Sequence, residues 1–209
     1  MPPCLQVAVV ESPNRLFSIG YATKSIETFL AQLKRYHIDA VADVRSVPYS
    51  KAFHDYHQEP LATTLKQNGI HYVYLGVELG PRSKDDNHYD ECGQVQFDRL
   101  AQSPLYLQGV ARLESGLGKG MKIALMCAEK DPADCHRSLL IGYDLKRRLG
   151  LDLAHITHDG GIETQQQMEH RMAKVHGLSG DLFASPEQQA ELGCQVQSKL
   201  KAYRRPDRD

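Results

Sequence analysis

Two cysteines, a glutamate, a histidine and an arginine fall inside one short segment, Met126-Cys127-Ala128-Glu129-Lys130-Asp131-Pro132-Ala133-Asp134-Cys135-His136-Arg137. Cys127 closes an apolar run and lies just ahead of Asp131-Pro132, a strong helix start. Helix amides and the helix dipole lower a nearby thiol pKa, so Cys127 is a candidate nucleophile. The competing reading is a buried strand cysteine that behaves as a small hydrophobe. Glu129 sits in a short turn, where an acid is either solvated or a general acid/base. His136 shares a helical face with Leu139, Leu140 and Tyr143, which suits a proton carrier or a satisfied core histidine equally. Arg137 near a helix start opposes the dipole unless an anion sits there, a mild sign of anion binding.

These residues need elements to position them, and the chain supplies alternating strand and helix signals between about 15 and 157. Leu16–Gly20, Ala40–Val44, Tyr72–Leu75, Met121–Cys127 and Leu153–Thr157 read as strands. Ser25 opens a helix carrying Phe29, Leu30 and Leu33 on one face. Leu61–Asn68 is a second helix, and a further helical region runs to about Leu117. Another is expected to start at Asp131-Pro132, capped by Asp and initiated by Pro, and to stop at Gly150. Strands separated by helices imply parallel pairing. The expected fold is therefore α/β: a mainly parallel sheet flanked by helices, Rossmann-like or flavodoxin-like, with a C-terminal helical extension. One domain over 1–209 is expected, with a core of about 15–160 and helices of about 163–203 packed on it. The polar stretch Gly80–Gly93 is long for a connection and reads as a lid or a mobile insertion.

In such sheets ligands bind beyond the carboxyl ends of the strands. Gly20-Tyr21 follows the first strand, Asp43-Val44-Arg45-Ser46 the second and Glu78-Leu79-Gly80-Pro81-Arg82 the third. Cys127-Ala128-Glu129 follows the fourth. A thiol, carboxylates, arginines and a tyrosine would thus meet on one rim. Arg45 suits a bidentate clamp on a phosphate or carboxylate, or a pair with Asp43 or Glu129.

Composition narrows the class. Lys plus Arg is 25 against 26 Asp plus Glu, so bulk charge argues neither for nor against a nucleic-acid partner. Met1–Asn14 lacks the features of a signal peptide, and no stretch approaches the roughly 20 apolar residues of a membrane span. Five scattered cysteines without export signals suit reduced thiols, and a cytoplasmic location is expected. Gly116–Gly120 looks like a phosphate loop but precedes a strand, so it reads as a turn. His54 and His57, with Asp85, Asp86, His88 and Asp90, show no recognised ligand spacing. Cys127, Cys135 and His136 could in principle bind zinc, yet they offer three ligands and no CxxC pair. Neither a metal nor another cofactor is expected.

Ile19-Gly20-Tyr21, Asp43-Val44-Arg45-Ser46 with Pro48 and Ser50, Glu78-Leu79-Gly80 and the Cys127–Arg137 block resemble the domain of unknown function 488 family. The resemblance continues through His158-Asp159-Gly160, Asp181-Leu182-Phe183 and Ala202-Tyr203-Arg204. Pro81 departs from it, standing where a second glycine is expected before Arg82. The resemblance implies a compact α/β fold and a site formed by Arg45, Cys127, Glu129, Cys135, His136 and Arg137. Gly20, Tyr21, Asp43, Ser46, Ser50, Glu78 and Arg82 would line it. It implies no reaction.

The leading functional expectation is an enzyme, hydrolase or transferase, acting on an anionic small molecule such as a nucleotide or modified base. Arg45 and the helix amino end would hold the anion, Glu129 or His136 would move protons, and Cys127 would attack. A rhodanese-like sulfur carrier is one alternative, although Glu129 puts a carboxylate where an anionic sulfur wants amide donors. A non-catalytic nucleic-acid- or protein-binding module is the other. It would use basic Lys199, Lys201, Arg204, Arg205 and Arg208, with Tyr21, Tyr49 and Tyr203 as stacking surfaces. No membrane partner is expected.

Overall fold

A computed structural model describes residues 15–50, 52–180 and 183–206. Cys4, Arg208, Asp181 and Leu182, and the leader-like question at Met1–Asn14, lie outside the described residues. Six strands form one sheet: β1 Leu16–Gly20, β2 Ala40–Asp43, β3 His71–Tyr74, β4 Ile123–Cys127, β5 Ala154–Ile156 and β6 Ile162–Thr164. Their order is β3-β2-β4-β1-β5-β6, parallel except for the antiparallel β5–β6 pair. The helices are α1 Ile26–Arg35, α2 Gln58–Gln67, the short α3 Gly76–Leu79 and α4 Phe97–Leu100, then α5 Pro104–Gly118, α6 Tyr143–Leu149, α7 Gln165–Val175 and α8 Pro186–Lys201.

The period-2 alternation of β4 sorts the core into two layers. Ala124 and Met126 join Phe17, Ile19 and Val41 against Phe29 and Leu33 of α1 and Leu61 and Leu65 of α2. Ile123, Leu125 and Cys127 face the other way, against Tyr106, Val110 and Leu113 of α5 and Leu145 of α6. Cys127 therefore points to the α5/α6 side. The C-terminal helices α7 and α8 pack on each other and on the segment after β4, with Met168, Met172 and Cys194 buried against Ala133 and Leu139. The α/β architecture with its C-terminal helical region is as the sequence predicts. No described helix is long and apolar enough to cross a membrane.

Local signals explain most boundaries. Ser25 caps α1 by accepting from the Thr28 amide, and Gly150 ends α6 in the left-handed region at φ 67°. The expected helix from Pro132 is where the structure differs. Asp131 does cap, accepting from Ala133 N at 2.8 Å, but only a 3-10 turn, Pro132–Asp134, follows. Cys135 is extended (φ −133°, ψ 141°), and the helix restarts as a π-helical stretch, Arg137–Gly142, that runs into α6. The break lifts Cys135 out of a helix and sets it ahead of one. β6 is also unpredicted, and it pairs with β5 across the Asp159-Gly160 turn. The Gly80–Gly93 stretch is pinned instead of lid-like: Gln94 bridges Arg204, Val95 donates to the Tyr203 carbonyl, and Arg205 pairs with Asp86.

Candidate functional site

The carboxyl ends of β1 and β4 stay paired beyond the strands. Tyr21 N donates to Cys127 O (3.1 Å) and Ala22 N to Ala128 O (2.9 Å). A Cβ on Gly20 would stand 1.9 Å from the Glu129 carbonyl oxygen, so only glycine lets the turn after β4 close over β1. Gly20, predicted as a ligand contact, is thus first a backbone requirement.

On that turn the structure brings together Cys127, Glu129, Cys135 and His136. His136 Nε2–H donates to the Val44 carbonyl at 2.9 Å, which turns Nδ1 toward both sulfurs, each at 3.7 Å. Cys135 Sγ and Glu129 Oε2 share a hydrogen bond of 3.0 Å, and Arg137 N–H reaches the same sulfur at 3.5 Å. Both thiols are buried, Cys127 4% and Cys135 2% exposed. Burial, followed by the hydrogen bonds and negative charges of Cys135 and Glu129, pushes the Cys127 thiol well above the ordinary range. Burial would raise Cys135 as well, but the hydrogen bond from Cys127 and the charges of Arg137 and His136 outweigh it and hold that thiol well below. Burial, then the negative charge of Cys135, raises Glu129. The proton shared by Glu129 and Cys135 accordingly favours the carboxylate, and Cys135 is the sulfur disposed to be thiolate.

Arg137 is fully buried, and its guanidinium donates to uncharged oxygens: Ser18 Oγ (3.3 Å), Glu129 O (2.9 Å) and Lys130 O (3.4 Å). It braces the turn instead of facing a ligand. Behind it a hydrogen-bonded chain crosses the core. Ser18 Oγ–H donates to His155 Nδ1 (2.7 Å), His155 Nε2–H to Gln165 Oε1 (3.0 Å), and Gln165 Nε2 to Glu169 Oε1 (3.0 Å). His155 is held neutral, its pKa lowered to about 3 by burial and the Arg137 charge.

The remaining predicted residues lie elsewhere on the rim. Arg45 is clamped side-on by Asp43, Nε to Oδ1 at 2.9 Å and Nη2 to Oδ2 at 2.6 Å, and its Nη1 meets Tyr21 Oη at 3.3 Å. The Tyr21 ring is buried in a stack on Tyr56, 4.3 Å between centroids, which takes it away from any stacked base. Ser46 Oγ accepts from Arg82 N, and the Ser50 carbonyl accepts from His57 Nε2. Glu78 pairs with Arg112 of α5, and the Arg82 guanidinium lies over the Tyr203 ring at 4.8 Å. None of these four reaches the sulfur cluster through a described bond. Among the basic C-terminal residues, Lys201 pairs with Asp134 and Arg205 with Asp86.

A cleft of about 530 Å³ opens beside the cluster, lined by Glu129, Lys130, Asp131, Pro132, Asp134, Thr157, His158, Glu163 and Arg171. Its acids are largely answered within the wall, since Arg171 forks onto Asp131 and Glu163 and Lys201 pairs with Asp134. Lys130, by contrast, forms no ion pair among the described residues, and His158 Nδ1 is buried without a hydrogen-bond partner. Lys24, which does not line the cleft but acts electrostatically on His158, is 4% exposed with an unpartnered Nζ. Burial, then the Arg137 charge, brings its pKa down to about 8. Burial and the charges of Lys130 and Lys24 likewise lower His158. A lysine in a loop after a strand reads as solvated; the signal that could have singled it out was its place, three residues past Tyr21 on the rim.

A family model described as Domain of unknown function DUF488 matches residues 25–143. The match contains both the Asp43-Val44-Arg45 turn and the whole Cys127–Arg137 block, and leaves Gly20 and His158 outside it. No curated protein and no solved structure matches the chain.

Proposed function

Because the chain belongs to the DUF488 family, a domain of unknown function, its chemistry has to come from its own side chains, and we propose that it is an enzyme acting on an anionic small molecule such as a nucleotide or modified base. The observation that carries this reading is the double position of Glu129. Its carboxylate is hydrogen-bonded to the buried Cys135, while the residue itself lines the open cleft. A proton-transfer group that links a reactive cluster to accessible space is what a general acid/base requires. Two cations without an ion-pair partner support an anionic substrate. Three acids of the wall have cationic partners, Asp131 and Glu163 sharing Arg171 and Asp134 pairing with Lys201, whereas Lys130 on the wall and the buried Lys24 ammonium form no ion pair among the described residues. An unpartnered buried ammonium costs stability, and a ligand phosphate or carboxylate would relieve that cost.

Arg45 has a positioning part in this reading. Its fork with Asp43 fixes the turn whose Val44 carbonyl orients His136.

Thermal unfolding in the presence of nucleoside 5′-monophosphates, and separately of inorganic phosphate, tests the proposal. Ligand binding to the native state raises Tm by mass action. The expected result is stabilisation by at least one nucleotide at millimolar concentration that is strongly reduced in Lys24→Met. A positive hit then serves as the substrate for a turnover assay, which Glu129→Gln should abolish without loss of fold. Indifference of wild-type protein to every anion tried, or a nucleotide response untouched by Lys24→Met, overturns the reading.

A further inference from the structure

The sulfur cluster has the geometry of a metal site. Cys127 Sγ, Cys135 Sγ and His136 Nδ1 all lie within 4.8 Å of one another, the only such group among the described residues. From Zn–S near 2.3 Å and Zn–N of 2.0–2.1 Å, a tetrahedral ion separates sulfur from nitrogen by about 3.6 Å. Both sulfur–nitrogen distances in the protein are 3.7 Å. The imidazole is already in the orientation a metal needs, because the Val44 carbonyl accepts from Nε2–H and aims Nδ1, the nitrogen that would coordinate, at both sulfurs. The Arg137 amide at 3.5 Å from Cys135 Sγ is a donor to a thiolate ligand of the kind found around metal-bound sulfur.

We propose that Cys127, Cys135 and His136 bind one thiophilic divalent cation of the zinc class. The absence of a CxxC pair, which made the sequence look unsuited to a metal, is made good by the chain path. The Pro132–Asp134 turn and the extended Cys135 return the second sulfur over the first. Binding takes both sulfurs as thiolates and releases to solvent the Cys127 proton and the one that Cys135 shares with Glu129, so one M²⁺ replaces two H⁺ and the charge of the centre is unchanged. Three protein ligands leave the fourth position to water, the pattern of a catalytic centre and not of a closed structural one.

This deepens the reading of the same site, and rests on it only for the part of Glu129. Glu129 is outside the ligand trio but touches Cys135 and lines the cleft. Bound there, the ion would supply an activated water for attack on the substrate, and Glu129, joining the cluster to the cleft, would take the water's proton and pass it to the leaving group. The net reaction is hydrolysis, with no electron transfer.

The test is metal content of the full chain, purified without a histidine tag and under reductant, followed by cobalt substitution. One zinc-class ion per chain is expected. The cobalt form should show a thiolate-to-cobalt charge-transfer band and tetrahedral d–d bands. Cys127→Ala, Cys135→Ala and His136→Gln should lower metal content at least tenfold, while Cys92→Ala and Glu129→Gln retain it. Should the ligand variants fail to fold, X-ray absorption of the wild-type cobalt form reads the set directly, with two sulfurs and light atoms expected in the first shell. Metal-free protein that takes up no cobalt, a coordination shell without sulfur, or a Cys127–Cys135 disulfide in the reduced preparation overturns the proposal. The two readings fail separately. Cobalt bound through two sulfurs in a protein that ignores every anion leaves the metal centre standing without the enzyme. Nucleotide turnover lost in Glu129→Gln, in a protein that binds no metal, does the reverse.

Discussion

Two stretches of the same rim, a few residues past β2 and a few past β4, carry equally polar side chains and use them in opposite ways. After β2, Asp43 accepts from the Arg45 amide, from Arg45 Nε and Nη2, and from the Tyr72 hydroxyl at 2.7 Å. Both carboxylate oxygens are occupied and the arginine fork is full, so this region has nothing left to offer a ligand. After β4, two sulfurs face one imidazole nitrogen, a glutamate reaches from the cluster into a cleft, and cations nearby lack counter-charges. Native proteins satisfy buried polar groups nearly everywhere, and the places where they do not are the places to look for function. Residue type alone does not separate the two regions; saturation does. An arginine on the rim is a lock after β2 only because a carboxylate two residues earlier turns back onto it.

The largest effect expected from breaking the closed side comes from Asp43→Ala. It strands the Arg45 guanidinium, 4% exposed, without its partner, and removing one member of a buried pair costs about 3–5 kcal/mol. Urea unfolding should show that loss in midpoint at an unchanged m-value. A double replacement, Asp43→Leu with Arg45→Met, should recover most of it, because the cost lies in the stranded charge. A loss below about 1 kcal/mol for the single variant would erase the contrast between the two regions.

The fold was legible where local and global signals agree. The apolar Met121–Cys127 run predicts β4, and Ser25 predicts the start of α1, because each is settled within a few neighbouring residues. The clustering of chemistry after β4 was legible for the same reason. What escaped is set by contacts distant in sequence. Nothing near Pro132 says that the helix will stop after one 3-10 turn; the decision rests on packing against α8, where Gln197 donates to the Ala133 carbonyl. The orientation of His136 depends on a backbone carbonyl, which no residue identity announces. Ser18 and His155 meet across 137 residues. Lys24 is spelled like any solvated lysine, and only burial makes it unusual.

A second, smaller effect tests whether the chain behind Arg137 belongs to the saturated class. His155 is neutral in the fold with a pKa near about 3, whereas the unfolded chain protonates it around 6.5. Below 6.5 the unfolded state binds the extra proton, so stability falls as the pH drops from there toward 3. Each unit removes up to about 1.4 kcal/mol, or about 2 kcal/mol between pH 6.5 and 5. Urea stability at those two pH values should converge in His155→Gln, which carries no titrating group at that position. An acid slope equal to that of wild type would assign the loss to carboxylates and take His155 out of the network's electrostatics.

The smallest effect is the most informative about the open side, because its sign is unusual. Most substitutions of a buried residue destabilise, yet Lys24→Met should stabilise. The methionine fills similar space, and the unpartnered Nζ that it removes carries a desolvation cost of about 1–2 kcal/mol. The repulsion between that ammonium and the Arg137 guanidinium disappears with it. Raising the pH should have a related effect on the wild type. The folded pKa near about 8 lies below the unfolded 10.5, so the unfolded state holds the proton longer and the penalty relaxes between those values. Thermal unfolding at pH 7 should therefore show a higher midpoint for Lys24→Met, with the gap narrowing by pH 10. A fold that gives up stability to keep a bare ammonium beside a cleft keeps it for an anion, and the variant that gains stability should be the one that no longer answers nucleotides. If Lys24→Met instead melts earlier and still responds to them, the lysine is a packing residue, and the case for an anionic substrate loses its strongest support.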